Sequence, residues 1–124
     1  MIYVDGNVVN LTRGDDAVLT VPLKNTDKTE YVLGEQEYLI FGLKKYPTDE
    51  SELLLEISSE PGSNVIRFRH NDTKDLKVDM YSAEIQMMTR DGQRITVWPK
   101  LTGRERISKD NRKNFYLMSE VVLT

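Results

Sequence analysis

The sequence predicts an all-β domain, and three observations carry that reading. Apolar residues recur at every second position over several short runs. Clusters of Gly, Pro, Asn and Asp separate those runs. No stretch shows a confident helical period. Short strands joined by polar turns pack as an antiparallel two-sheet sandwich, with a small barrel as the competing closure that period and spacing do not separate.

The clearest element spans residues 80 to 98. Tyr81, Ala83, Ile85 and Met87 place apolar side chains on one face, Ile95 and Val97 resume the period, and Arg90-Asp91-Gly92 joins the two runs. Asp-Gly tolerates the positive φ that a tight turn between twisted strands demands, so this is a β-hairpin with one buried face.

The other elements follow in chain order. Val8, Val9 and Leu11, after the turn-forming Asp5-Gly6-Asn7, predict an opening strand at about 7 to 11. Arg13-Gly14-Asp15 breaks it. That tripeptide also spells an adhesion motif, but a reversal needs glycine at this point, and the turn reading prevails. Ala17, Leu19, Val21 and Leu23 then alternate with Asp16, Thr20 and Pro22. Pro22 cannot donate a ladder hydrogen bond and places that end at an edge or bulge. Residues 24 to 37 form a polar connection with a candidate short strand at 31 to 33. Residues 38 to 45 are apolar on nearly both faces, which predicts a central strand. Tyr46-Pro47-Thr48-Asp49 turns the chain, and Leu53, Leu55 and Ile57 restart the alternation, with one helical turn as the alternative.

Ile66 and Phe68 point inward from a strand at 64 to 69, with Val65, Arg67 and Arg69 outward. His70-Asn71-Asp72-Thr73 is a turn, and 73 to 76 is a candidate single helical turn. Beyond Trp98-Pro99 the period stops, and Trp98 is read as a strand-end anchor. The run from 115 to 123 alternates again, as an additional strand or as an arm exchanged with another chain. The expected organisation is a sandwich over 1–99 and a basic linker with a C-terminal strand or exchange arm over 100–124.

Composition limits the function. A chain of 124 residues fits one domain with its own core. It has no cysteine, which excludes disulfides and thiolate metal sites. No apolar run approaches the ~20 residues that span a bilayer. The start of the chain lacks the basic-then-apolar order of a signal peptide, so a soluble chain outside the standard secretory route is expected. With 17 Lys and Arg against 20 Asp and Glu, the net charge of −3 gives no global attraction to nucleic acid or anionic membrane.

The basic residues nevertheless concentrate late, at Lys100, Arg104, Arg106, Lys109, Arg112 and Lys113. No aromatic is interleaved among them to stack on bases, which favours docking on an acidic protein surface over nucleic-acid contact. Lys100, Arg104, Arg106, Arg112 and Lys113, with Phe115 and Tyr116 behind them, are the candidate partner-binding residues.

Catalytic patterns are sparse. His70 is the single histidine and sits among turn residues. The carboxylate pairs Asp15-Asp16, Asp49-Glu50 and Asp72 with Asp75 lack calcium-loop spacing, and no glycine-rich phosphate loop occurs. No catalytic residue, metal or cofactor is assigned.

Two stretches carry a family resemblance. Leu11-Thr12-Arg13-Gly14-Asp15, followed by alternating Ala17, Leu19 and Val21, is one. The other is Leu76 five residues ahead of Tyr81, with Glu84-Ile85 after it. Together they resemble the N-terminal domain of the phage baseplate upper protein family over about residues 8 to 99. Val78-Asp79 stands where that family has Pro-Gly, and the segment from Lys100 has no counterpart.

The resemblance implies an immunoglobulin-like β-sandwich of about seven strands plus a C-terminal extension, with Tyr81 as a corner tyrosine. It also implies a non-catalytic structural module of a phage or prophage tail or baseplate. Such a module is assembled in the bacterial cytoplasm into the virion and binds other tail proteins and copies of itself. The alternative is a carbohydrate- or surface-binding sandwich that uses Trp98 and the tyrosines, and a hydrolase built on paired carboxylates ranks last.

Overall fold

The structure is a computed structural model that describes residues 2–5, 8–25, 29–46, 50–98 and 119–123. Among them are nine strands and one helical turn. They are β1 (Ile2–Asp5), β2 (Val8–Leu11), β3 (Ala17–Thr20), β4 (Tyr38–Lys44), β5 (Leu53–Ser58), β6 (Val65–Phe68), α1 (His70–Thr73), β7 (Met80–Met88), β8 (Arg94–Trp98) and β9 (Ser119–Leu123). The main sheet runs β1-β2-β9-β7-β4-β5, with β8 also on β7, and β3 pairs with β6 in a second sheet. Every pair is antiparallel except β2 with β9.

Alternation explains this packing. Leu39, Phe41 and Leu43 of β4, Tyr81, Ala83 and Ile85 of β7, Val9 and Leu11 of β2 and Val121 of β9 turn into one core. Ile66 and Phe68 close that core from the second sheet. The Phe41 and Phe68 rings meet edge to face at 5.1 Å, which joins the two layers at their centre. As its two-sided apolar pattern predicts, β4 is central, between β5 and β7.

Several expectations change. Residues 2–5 form a strand that the sequence reading did not assign, paired with β2 in a hairpin. Residues 31 to 33 form no strand. An isolated bridge joins Lys24 and Glu30 instead, and the Asn25 amide donates to Thr29 Oγ1 and the Glu30 carbonyl. The segment at 53–58 is a strand, not a helical turn.

The helical turn begins at His70 rather than Thr73. The Asp72 carboxylate accepts from the Arg69 amide at 2.7 Å while the Asp72 amide donates to the Arg69 carbonyl, so the first turn is capped three residues early. Ile95 lies opposite Met87 on the core side but is 44 % exposed. The second sheet packs chiefly on β1, β4 and β5, which leaves β8 less covered. Of the two readings of the final run, β9 is an additional strand within the chain's own main sheet.

Candidate functional site

Two loops distant in sequence form one corner at the start of β7. Gly14 takes φ +81°, which frees both its backbone groups to point at α1. Its amide donates to Thr73 Oγ1 at 2.7 Å, and its carbonyl lies 2.7 Å from His70 Nδ1. A carbonyl only accepts, so the ring proton sits on Nδ1. The Asp16 carboxylate accepts from the His70 amide at 2.8 Å, and the Arg13 guanidinium donates to the Leu76 carbonyl.

Arg13-Gly14 is thus held against α1 as a turn. His70 and Asp16 hold backbone, as Asp72 does, and are not arranged as an acid–base pair. Tyr81 completes the corner: its hydroxyl donates to the Lys77 carbonyl at 2.6 Å and fixes the entry into β7. Beside it Lys45 Nζ reaches the Asp79 carboxylate at 2.5 Å and the Met80 carbonyl at 3.1 Å, and stands 5.2 Å from the Tyr81 ring centre. The hydrogen bond to Asp79 is the main cause that raises the Lys45 pKa and lowers that of Asp79.

At the other end of β7, Gly92 takes φ +84° and its amide donates to the Thr89 carbonyl, so the hairpin tip at Arg90-Asp91-Gly92 is a turn. It faces the 34–37 turn across an open cleft of about 590 Å³ lined by Glu35, Gln36, Glu37, Arg90 and Asp91. Glu37 is already engaged there. One oxygen accepts from the Tyr31 hydroxyl at 2.6 Å and the Gly34 amide at 2.8 Å. The Tyr31 bond first, then the Gly34 amide, holds the carboxyl below its ordinary pKa, which makes it an ionised acceptor rather than a proton donor. Among the described residues no group of three His, Asp or Glu is placed to hold a metal ion.

The third feature is an interrupted strand. β8 and β9 run in the same direction along one edge of β7, with Trp98 opposite Ile85 and Ser119 opposite Ala83. Those positions are about 7 Å apart along β7. Residues 99–118 are therefore inserted where a continuous strand would have passed Glu84. Lys100, Arg104, Arg106, Arg112, Lys113, Phe115 and Tyr116 fall in that insertion, outside the described residues.

Of the structural residues singled out from sequence, Tyr81 lies in the corner, Asp91 and Gly92 lie at the hairpin tip, and Trp98 ends β8. The exposed tyrosines Tyr3 and Tyr46 belong to β1 and to the end of β4, four strands apart, and so do not share a platform for a sugar. Sequence reasoning missed Thr73 as an acceptor and the pairing of Tyr31 with Glu37. Neither spacing carries a signal, because both depend on loops folding back. Compared with protein-family models, with curated proteins and with solved structures, the chain matches none.

Proposed function

We propose that this chain is a non-catalytic assembly module of a phage or prophage tail or baseplate, an immunoglobulin-like sandwich that acts through protein contacts in the virion. The interrupted strand is the observation that carries the assembly reading. The chain leaves β7 at Trp98 and returns to it at Ser119, about 7 Å away, and the cations of the sequence between them suit an acidic protein surface.

The immunoglobulin-like assignment draws on the corner and the core. Tyr81 opens β7 with its hydroxyl on a carbonyl four residues upstream, and two residues later stands the fully buried Ala83, where antibody domains carry a disulfide cysteine. Phe41 on central β4 takes the place of the core tryptophan. The phage setting rests on the resemblance. Its two stretches are neighbours in space, joined by Arg13 to the Leu76 carbonyl.

The test is purification of particles from the source strain after prophage induction. The chain is expected in tail fractions, and it is expected to be lost from them when Lys100, Arg104, Arg106, Arg112 and Lys113 are all replaced by alanine. A chain absent from particles, or a variant incorporated as well as the parent, overturns the reading.

A further inference from the structure

We infer that β1 is a self-association edge at which a second copy of this chain adds its own β1, antiparallel, to continue the main sheet. β1 and β5, the two ends of its strand path, are built in opposite ways. β5 is guarded: Glu52 and Glu56 stand exposed along it, and a register irregularity at Leu43/Lys44 disturbs its pairing with β4. A second β5 laid against it would set Glu56 close to its own counterpart, a like-charge contact that disfavours pairing.

β1 carries no such guard. Its sequence, Ile-Tyr-Val-Asp, has no lysine, proline or glycine and one acid at its end. It pairs with β2 on one side, and among the described residues no strand lies on its other side. Each face carries an exposed apolar residue. Tyr3 on the outer face is 54 % exposed, and Val4 is 49 % exposed although its register partner Val9 lies in the core.

Ile2, two residues earlier on the same face, packs against the core, and Val4 beyond it stays half exposed. A two-fold axis normal to the sheet keeps outer residues with outer residues, so in the register that sets Tyr3 opposite Tyr3 of the second copy, Val4 lies opposite Ile2, and no charge is buried. Self-complementarity of an uncharged, two-sided apolar edge selects a second copy over a charged partner.

This inference deepens the assembly reading and rests on it for its biological meaning, while the pairing itself stands on the edge alone. The experiment is analytical ultracentrifugation of the full chain across its soluble concentration range. The parent is expected to be in concentration-dependent monomer–dimer equilibrium, Val4→Lys to be monomeric at every concentration, and Leu53→Lys on β5 to dimerise like the parent. If Val4→Lys lowers the thermal midpoint, Tyr3→Lys on the solvent face takes its place. A parent that stays monomeric, or a folded β1 lysine variant that still dimerises, overturns the inference. The five-alanine variant of the inserted segment is expected to dimerise normally, so loss from particles and loss of dimer report separately.

Discussion

The two ends of β7 are held by different kinds of contact. At its start, Gly14, Arg13 and Asp16 bond to Thr73, Leu76 and His70, partners more than fifty residues away. At its far end the bonds beside the cleft run mostly within each loop: Tyr31 and Gly34 meet Glu37, Thr89 meets Gln93, and a single backbone bond from Gly62 ties the 34–37 turn to the loop after β5. Long-range bonds, with the half-buried Gly14–Thr73 bond among them, fuse two loops into one corner. Local bonds shape each loop separately and leave the cleft between them open to solvent. The corner is therefore the end where substitutions are expected to unfold the chain, and the cleft end is where they are tolerated.

The largest effect is expected at Thr73, which is 1 % exposed and accepts the Gly14 amide. Thr73→Val keeps the shape and removes the acceptor, stranding a backbone donor at the corner. A loss of about 1–3 kcal/mol in urea denaturation is expected. A change within error would mean that the corner bonds are exchangeable with water and that the contrast between the two ends is false.

A pair of glycines sharpens the contrast. Gly14 and Gly92 share nearly the same positive φ, so alanine suffers similar backbone strain at both, about 1 kcal/mol. Their surroundings differ. A Cβ on Gly14 would lie 3.4 Å from His70 Nδ1, and one on Gly92 meets nothing within 4 Å. Gly14→Ala is expected to cost more than Gly92→Ala, because relaxing the backbone strain at residue 14 shifts its bonds to Thr73 and His70, whereas Gly92 bonds to Thr89 within its own turn. Equal thermal midpoints would show that the corner relaxes as freely as the hairpin tip.

The same contrast explains what was legible in the sequence. The hairpin of β7 and β8, the central place of β4 and the inward Ile66 and Phe68 are period-two features, set by residues near one another in the chain. Pairing between remote segments was not. Nothing in the 115–123 run states that its last residues lie between β2 and β7, parallel to the one and antiparallel to the other. β1 was legible in principle, since Ile2-Tyr3-Val4 ahead of Asp5-Gly6-Asn7 and a second apolar run is a hairpin pattern. The exposure of Ile95 depends on where a different sheet packs. The candidate partner-binding residues follow from a local concentration of basic charge with Phe115 and Tyr116 behind it, and the anchoring of their segment at both ends follows only from the register on β7.

The smallest expected effect lies at the cleft end and is read in pH rather than in neutral stability. The hydroxyl of Tyr31 and the amide of Gly34 favour the ionised form of Glu37 and lower its pKa in the folded chain. A carboxyl lowered on folding contributes stability that is full above its unfolded pKa and is lost as pH falls through the folded value. The same bond raises the Tyr31 pKa, so the contribution of Tyr31 is full below the ordinary tyrosine value and is lost as pH rises through the raised one. Glu37→Gln keeps an oxygen that can accept from both donors but removes the titration. Its thermal midpoint near neutrality is expected to stay close to that of the parent, with a flatter decline below the ordinary glutamate range. Thr73→Val is expected to keep the parent's acid slope, because the corner bond it removes has no titrating group. If both variants lose the acid slope, acid sensitivity arises from the fold as a whole, and the two ends of β7 are not independent.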